Sequence, residues 1–290
     1  MTNNTSATNT RKLTENKHCD GADLTILACQ IAVAETNTTA ARDSHLKNTA
    51  AKIIEAAKPG NMQLIVLPEL ASIDYSRASF EQLSVLAEPL EGPSTECWRE
   101  VATQCNTHIV YSFPRTDTHG YTICVAVVDP SGKLTGHYDK MHLAQYGASM
   151  EKDYFQRGNH IFTFDINGIR LAPIICYDIR FPELCRCLAT EHEVNVILHC
   201  GAYYRDESFH TWHDFARTRA VENQLYFLSL NRAGTNYGQS LFCPPWIDNT
   251  VTPVEFALHD EEFKIIHINR HAIDFAREKY SFLHDRLNHY

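Results

Sequence analysis

Five short apolar runs, each stopped by a turn signal or a polar stretch, constrain this chain more than any other feature. They are Leu24 to Val33 (LTILACQIAV), the segment QLIVLPEL around Pro68, Ile169 to Cys176 (IRLAPIIC), Asn195 to Cys200, and LYFLSL ending at Leu230. Runs of this length suit strands buried on both faces, and Pro68 ends its run because proline cannot donate to a central ladder. Between them, Leu46, Ala50, Ile53, Ile54 and Ala57 recur at helical spacing before a Pro59-Gly60 stop. Further helices are predicted at Pro93 to Cys105, Pro182 to Thr190 and about Ser208 to Asn223, two of them with proline in the first turn. His108 to Phe113, Tyr121 to Asp129 and Leu134 to Tyr138 read as strands, the last two joined into a hairpin by Pro130-Ser131-Gly132-Lys133. Short strands at Gln239 to Cys243 and Phe263 to Ile268 complete the pattern. The alternation predicts one α/β domain over residues 23–290 with parallel and antiparallel pairings, after a disordered tail over residues 1–22 rich in Thr, Asn, Ser and charge.

Charge narrows the partners. With 26 basic and 35 acidic side chains the net charge is −9, and no long run of Lys and Arg offers a face for nucleic acid or an anionic membrane. No apolar run reaches the roughly 20 residues that span a bilayer, and the N-terminus lacks the apolar core of a secretory signal. A cytoplasmic protein with a small-molecule partner is the expectation. The ten cysteines are irregularly spaced, and Cys29, Cys124 and Cys176 sit inside apolar runs, so most read as reduced thiols. No phosphate-binding or dinucleotide glycine loop, H-E-x-x-H or paired C-x-x-C occurs, which implies neither a nucleotide nor a metal cofactor.

Chemistry concentrates at strand ends. Cys176 sits where an apolar strand gives way to a polar turn and then a helix, a place that exposes a thiol to a ligand site. Histidine is the familiar base for such a nucleophile, but sixteen histidines discriminate nothing. Glu69 and Lys140 end two other strands, as a carboxylate base and a cation able to stabilise an oxyanion. On the helix from about Ser208 to Asn223, Arg219 and Asn223 share the buried face of Trp212, Phe215, Ala216 and Ala220, so Arg219 requires a carboxylate partner.

The segments L-P-E at 67–69, Y-D-K-M-H-L at 138–143 and C-Y-D-I-R-F-P-E at 176–183 resemble, in order and spacing, the motifs of the nitrilase superfamily of carbon–nitrogen hydrolases. The stretches ARTRAVENQ at 216–224 and NRAG at 231–234 extend the likeness, which runs from about Leu24 to the C-terminal DRLNHY. The resemblance implies a four-layer α-β-β-α sandwich and a homodimer or higher homo-oligomer. It implies Cys176 as nucleophile, Glu69 as general base, and Lys140 with the backbone N–H of Tyr177 as oxyanion donors, with charged Lys140 favouring the Cys176 thiolate. Glu151, seven residues before Gly158 in EKDYFQRG, matches a supporting glutamate of the family. Asp178 and Arg180 read as a mutual or neighbouring ion pair shaping the turn, with Arg180 gripping a substrate carboxylate as the other role.

Relatives acting on ω-amides carry A-N-W-P followed by an arginine where this chain has Ala202, Tyr203, Tyr204 and Arg205, with Ser208 at the arginine position. Tyr203 and Tyr204 are candidates for a substrate wall, and Arg205 for a displaced carboxylate-binding charge. The expected activity is release of ammonia from a small linear amide through a thioester. A nitrilase acting through a thioimidate, an N-carbamoyl hydrolase, a non-catalytic scaffold and a thiol redox protein stay open as alternatives. Pro244-Pro245-Trp246 replaces the family's proline-glycine turn.

Overall fold

Alternate residues of the first strand face two different cores: Leu24, Ile26 and Ala28 join one buried cluster, while Leu27 and Cys29 join another. This is the two-residue period of a strand buried on both faces. The computed structural model describes residues 24–58 and 60–287, so the expected tail at 1–22, Cys19 and Pro59 lie outside the described residues. In chain order the elements are β1 (Leu24–Gln30), α1 (Thr39–Ala57), β2 (Leu64–Val66), α2 (Arg77–Phe80), α3 (Leu83–Leu86), α4 (Pro93–Cys105), β3 (His108–Asp117), β4 (Gly120–Val128) and β5 (Leu134–Asp139). They continue with β6 (Phe164–Ile166), β7 (Ile169–Ile175), α5 (Pro182–Thr190), β8 (Val196–Cys200), α6 (Phe209–Asn223), β9 (Tyr226–Leu230), β10 (Leu241–Cys243), β11 (Val254–Glu255), β12 (Glu262–Ile268), α7 (Arg270–Lys279) and α8 (Phe282–Asp285). Two 3-10 turns, Glu151–Asp153 and Cys176–Arg180, complete the order.

The strands form two six-stranded sheets, ordered β12-β1-β2-β3-β4-β5 and β11-β10-β9-β8-β7-β6. Parallel pairs lie at the centre of each, β1-β2-β3 and β7-β8-β9, and antiparallel strands flank them. The inner faces meet through Leu24, Ile26, Val66, Val110, Val125 and Val127 on one sheet and Leu171, Leu198 and Leu228 among residues of the other. Helices α1 and α4 cover the outer face of the first sheet through Leu46, Ile53, Trp98 and Val101, and α5 and α6 pack with the second. The result is the four-layer sandwich of helix, sheet, sheet and helix.

Local signals explain the boundaries. Thr38 caps α1 by accepting from the Ala41 amide, Gly92-Pro93 opens α4, and Asn106 and Gln224 end α4 and α6 in the left-handed conformation. The sequence-based strand over 24–33 stops at Gln30, and β3 runs on through Pro114 to Asp117. The hairpin strand β6 and helix α7 escape the reading, the first because it has three residues, the second because its apolar stripe is thin. Arg219 finds its carboxylate one turn along α6, with Nη1 2.8 Å from Glu222 Oε1. Among the described residues all nine cysteines are unpaired, and no helix is long and apolar enough to cross a membrane.

Candidate active site

Where β2 and β5 end, Glu69 and Lys140 meet without any exposure to solvent. Lys140 Nζ lies 2.7 Å from Glu69 Oε1 and 2.6 Å from Glu151 Oε1, and all three side chains are 0% exposed. Burial alone would strip the ammonium of its proton, but the charges of Glu151 and Glu69 outweigh it and hold the Lys140 pKa well above the usual lysine range. Glu151 is fully engaged: Oε1 also accepts from Tyr75 O–H at 2.7 Å, and Oε2 accepts from the Ala144 amide at 2.8 Å. Glu69 is not. Its Oε2 is buried with no hydrogen-bond partner among the described residues. Burial raises the Glu69 pKa, and Glu151's charge adds to that against the pull of Lys140.

The turn that carries Glu69 is held from behind. Leu70 adopts a left-handed φ of 47°, uncommon for a branched side chain. Ser112 Oγ accepts from its amide at 3.0 Å. Arg232, only 2% exposed, donates to the carbonyls of Glu69 at 3.0 Å, Leu70 at 2.5 Å and Ile73 at 2.6 Å. The position lies inside the NRAG stretch, but nothing in the sequence shows that its guanidinium clamps a turn more than 150 residues away.

Cys176 begins the second 3-10 turn directly after β7, with a left-handed φ of 43° and 9% exposure. A non-glycine residue in this region stores about 1–3 kcal/mol of strain, which persists only where surroundings over-determine it. The surroundings here are two donors on the Cys176 carbonyl: His199 Nε2 and Tyr203 O–H, each at 2.9 Å. As expected, the Lys140 charge favours the Cys176 thiolate, but burial opposes it. Desolvation and the Glu69 charge push the thiol pKa well up, outweighing Lys140 and the Ala202 backbone N–H, so the resting group is the thiol.

Asp178 and Arg180 part company. Asp178 turns inward and accepts from Tyr138 O–H at 2.7 Å, the Ile175 amide at 3.0 Å, and the His142 amide and Nδ1 at 3.0 and 2.7 Å. It thereby ties the strand and loop on either side of Lys140 to the turn that carries Cys176. The mutual Asp178–Arg180 pair does not form, because residues two apart in the tight turn project in different directions, and Asp178 takes the neighbouring His142 instead. Arg180 makes no ion pair among the described residues; its guanidinium lies 4.7 Å from the Phe215 ring centroid and 5.9 Å from that of Tyr146, and its Nε and Nη2 are buried without partners. The Arg180 charge acts on the phenols of Tyr146 and Tyr203.

The other expected residues separate. Tyr203 lies in the site, stacked on Trp212 at 4.6 Å and 7°. Tyr204 is 37% exposed and packs edge-on against Tyr237. Arg205 spends Nε on the Tyr237 carbonyl and Nη2 on Gln239 Oε1 and the Leu258 carbonyl, with Phe209 under its guanidinium. The Tyr177 ring rests against Tyr146 and Phe181, and its amide belongs to the first turn of the short helix, where donors lack intrahelical acceptors. Trp246 stacks on Tyr280 of the C-terminal segment at 3.6 Å.

The chain as a whole has relatives among known proteins. A family model described as carbon-nitrogen hydrolase matches residues 28–273. A hydrolase of Schizosaccharomyces pombe is 33% identical over 208 residues, spanning 69% of this chain and 63% of that protein. Human omega-amidase NIT2 is 26% identical over 270 residues, 88% of this chain and 96% of the relative. The crystal structure of Saccharomyces cerevisiae Nit3, a member of branch 10 of the nitrilase superfamily, superposes with a TM-score of 0.80 at 22% identity, covering 93% of this chain and 97% of Nit3, a likeness of fold. With most of its length inside the family model and its two sheets arranged as in Nit3, this chain belongs to the carbon-nitrogen hydrolase family.

Proposed function

We propose that this protein is an amidase that releases ammonia from a small ω-amide through a thioester on Cys176. The observation that carries the reading is the unpartnered Oε2 of Glu69, buried beside a thiol whose pKa responds to Glu69, Lys140 and Glu151. In the mechanism Glu69 takes the Cys176 proton as sulfur attacks the amide carbon. Lys140 has three N–H donors and spends two on Glu69 and Glu151, which leaves the third for the oxyanion alongside the Tyr177 N–H. Collapse breaks the C–N bond, and Glu69 returns the proton to the departing nitrogen. Water then attacks the thioester, giving a proton to Glu69 that goes back to the Cys176 sulfur as the acid leaves. Glu151 holds Lys140 in place.

Arg180 is the proposed anchor for a substrate carboxylate, because its two unpartnered nitrogens lie where its charge reaches Tyr146 and Tyr203, the latter bonded to the Cys176 carbonyl. The omega-amidase name of the human relative supports that choice. Arg205, engaged with three carbonyl-type oxygens, is assigned no substrate role. A homodimer is proposed from Phe275, Phe282 and Leu287, apolar residues left 45–60% exposed near the C-terminus. A cytoplasmic setting fits the nine cysteines that stay unpaired among the described residues.

The test is ammonia release with intact-mass detection of an adduct, across monoamides, ω-amides of dicarboxylates, nitriles and N-carbamoyl amino acids. Wild type is expected to turn over ω-amides and carry an acyl adduct that Cys176→Ala lacks. Arg180→Gln is expected to raise KM for carboxylated amides roughly tenfold or more, the loss of a charge-assisted pair, with little change for monoamides. Turnover by Cys176→Ala would overturn the mechanism, and preference for nitriles or N-carbamoyl substrates would move the activity to that branch.

A further inference from the structure

The carbonyl of Cys176 is gripped by a chain of buried side chains that the reaction scheme leaves without a role. His199 on β8 and Ser229 on β9 are register partners, with Nδ1 2.7 Å from Ser229 Oγ, and Ser229 Oγ is 2.7 Å from Trp212 Nε1 on α6. All three residues are 0% exposed. The hydrogen positions follow from the donor inventory. An indole N–H only donates, so Ser229 Oγ accepts from Trp212. His199 Nε2 faces a carbonyl oxygen and must carry the imidazole proton, because a bare nitrogen there would oppose another lone pair. Nδ1 is then the acceptor for the Ser229 hydroxyl. The hydrogen-bond chain runs from Trp212 to Ser229 to His199 to the Cys176 carbonyl, and burial keeps His199 neutral by pulling its pKa down to about 4. Tyr203 adds a parallel donor to the same oxygen while lying flat on Trp212.

That oxygen belongs to the peptide group whose nitrogen is Tyr177. Donors on a peptide oxygen draw electron density from its nitrogen and make the N–H a stronger donor, the cooperativity of hydrogen-bond chains. They also hold the plane of a peptide attached to a residue with a strained φ. We propose that Trp212, Ser229 and His199 form a positioning relay that, with Tyr203, polarises the Cys176–Tyr177 peptide and aims the Tyr177 N–H at the oxyanion of the tetrahedral intermediate. The inference rests on the amidase reading above, in which that N–H is an oxyanion donor.

The test compares wild type with His199→Phe, Ser229→Ala, the two combined, and His199→Gln, whose side-chain amide restores a donor. For each, kcat and KM are measured on the best amide, together with the rate of Cys176 modification by methyl methanethiosulfonate, a reaction that forms no oxyanion on carbon. Thermal unfolding identifies any variant that fails to fold. His199→Phe is expected to lower kcat roughly tenfold to a hundredfold, somewhat less than deletion of an oxyanion donor, with KM changed less than about threefold. Thiol modification stays within about twofold, His199→Gln recovers most of kcat, and the double variant is no slower than His199→Phe because the groups act in series. Parallel loss of kcat and thiol modification would overturn the proposal in favour of a relay that only places sulfur, as would wild-type kcat in folded His199→Phe. Turnover by Cys176→Ala, or no ammonia release by wild type, would instead sink the amidase reading beneath it.

Discussion

Replacing Lys140 by methionine removes the ammonium that lies between two carboxylates water does not reach. Methionine nearly matches the lysine stem in volume, so packing is preserved and the electrostatic loss stands alone. In the wild type, Nζ bridges Glu69 and Glu151 at 2.7 and 2.6 Å, all three side chains being 0% exposed. Breaking a buried ion pair by deleting one partner costs about 3–5 kcal/mol because the remaining charge is left uncompensated. Here two negative charges remain and repel. Burial and the Glu151 charge already raise the Glu69 pKa, and the variant loses the opposing pull of Lys140. A carboxyl whose folded pKa exceeds its unfolded value near 4.3 destabilises the fold as pH rises between the two, by about 1.4 kcal/mol per unit and per proton. The penalty is therefore smallest at pH 5 and grows toward pH 8. Urea unfolding followed by tryptophan fluorescence at pH 5, 6, 7 and 8 reads it for both proteins, and the gap at pH 8 is expected to exceed that at pH 5 by at least about 1.4 kcal/mol. A gap independent of pH, or a variant as stable as wild type at pH 8, would refute the reasoning that Lys140 opposes the rise of the Glu69 pKa.

Two further outcomes follow from single contacts. His199 binds no proton in the folded protein until about pH 4, while the unfolded chain binds one below about 6.5; wild type is expected to lose up to about 3 kcal/mol relative to His199→Phe as pH falls across that window, read as urea midpoints at pH 7 and 4.5. An equal pH response in both proteins would show that His199 is not buried neutral. A Cβ on Gly158 would lie 2.1 Å from the Asp139 carbonyl oxygen, next to the Lys140 carbonyl that the Gly158 amide holds at 2.8 Å. Gly158→Ala is thus expected to destabilise by about 1–3 kcal/mol and to lower kcat by displacing Lys140, checked by thermal unfolding and ammonia release.

Much of the frame was legible because its causes are local. Helices α4 and α5 stand where Pro93 to Cys105 and Pro182 to Thr190 predict them, since proline at a first turn and apolar spacing act within a few residues. The strand ends bearing Glu69, Lys140 and Cys176 were legible for the same reason, as apolar runs meeting polar turns. Arg219 and Glu222 sit one helical turn apart, so that pair was within reach of the sequence. Of the mutual or neighbouring pair expected for Asp178 and Arg180, only the neighbouring contact of Asp178 with His142 forms, because residues two apart in a 3-10 turn point different ways, Asp178 to Tyr138 and His142 and Arg180 to Phe215.

His199, Ser229 and Arg232 show where local reading ends. Nothing marks His199 among sixteen histidines until parallel pairing of β7, β8 and β9 sets it beside Ser229 and under the Cys176 carbonyl. By itself, then, the sequence determined the strands, the helices and the three residue types at strand ends, because spacing and backbone propensity are properties of neighbours in the chain. Only the tertiary structure decided the protonation of the Cys176 thiol, the free oxygen of Glu69 and the grip on the nucleophile's peptide. Those depend on desolvation and on partners as far apart as Glu69 and Lys140, 71 residues in sequence, which become neighbours only when the sheets close over them.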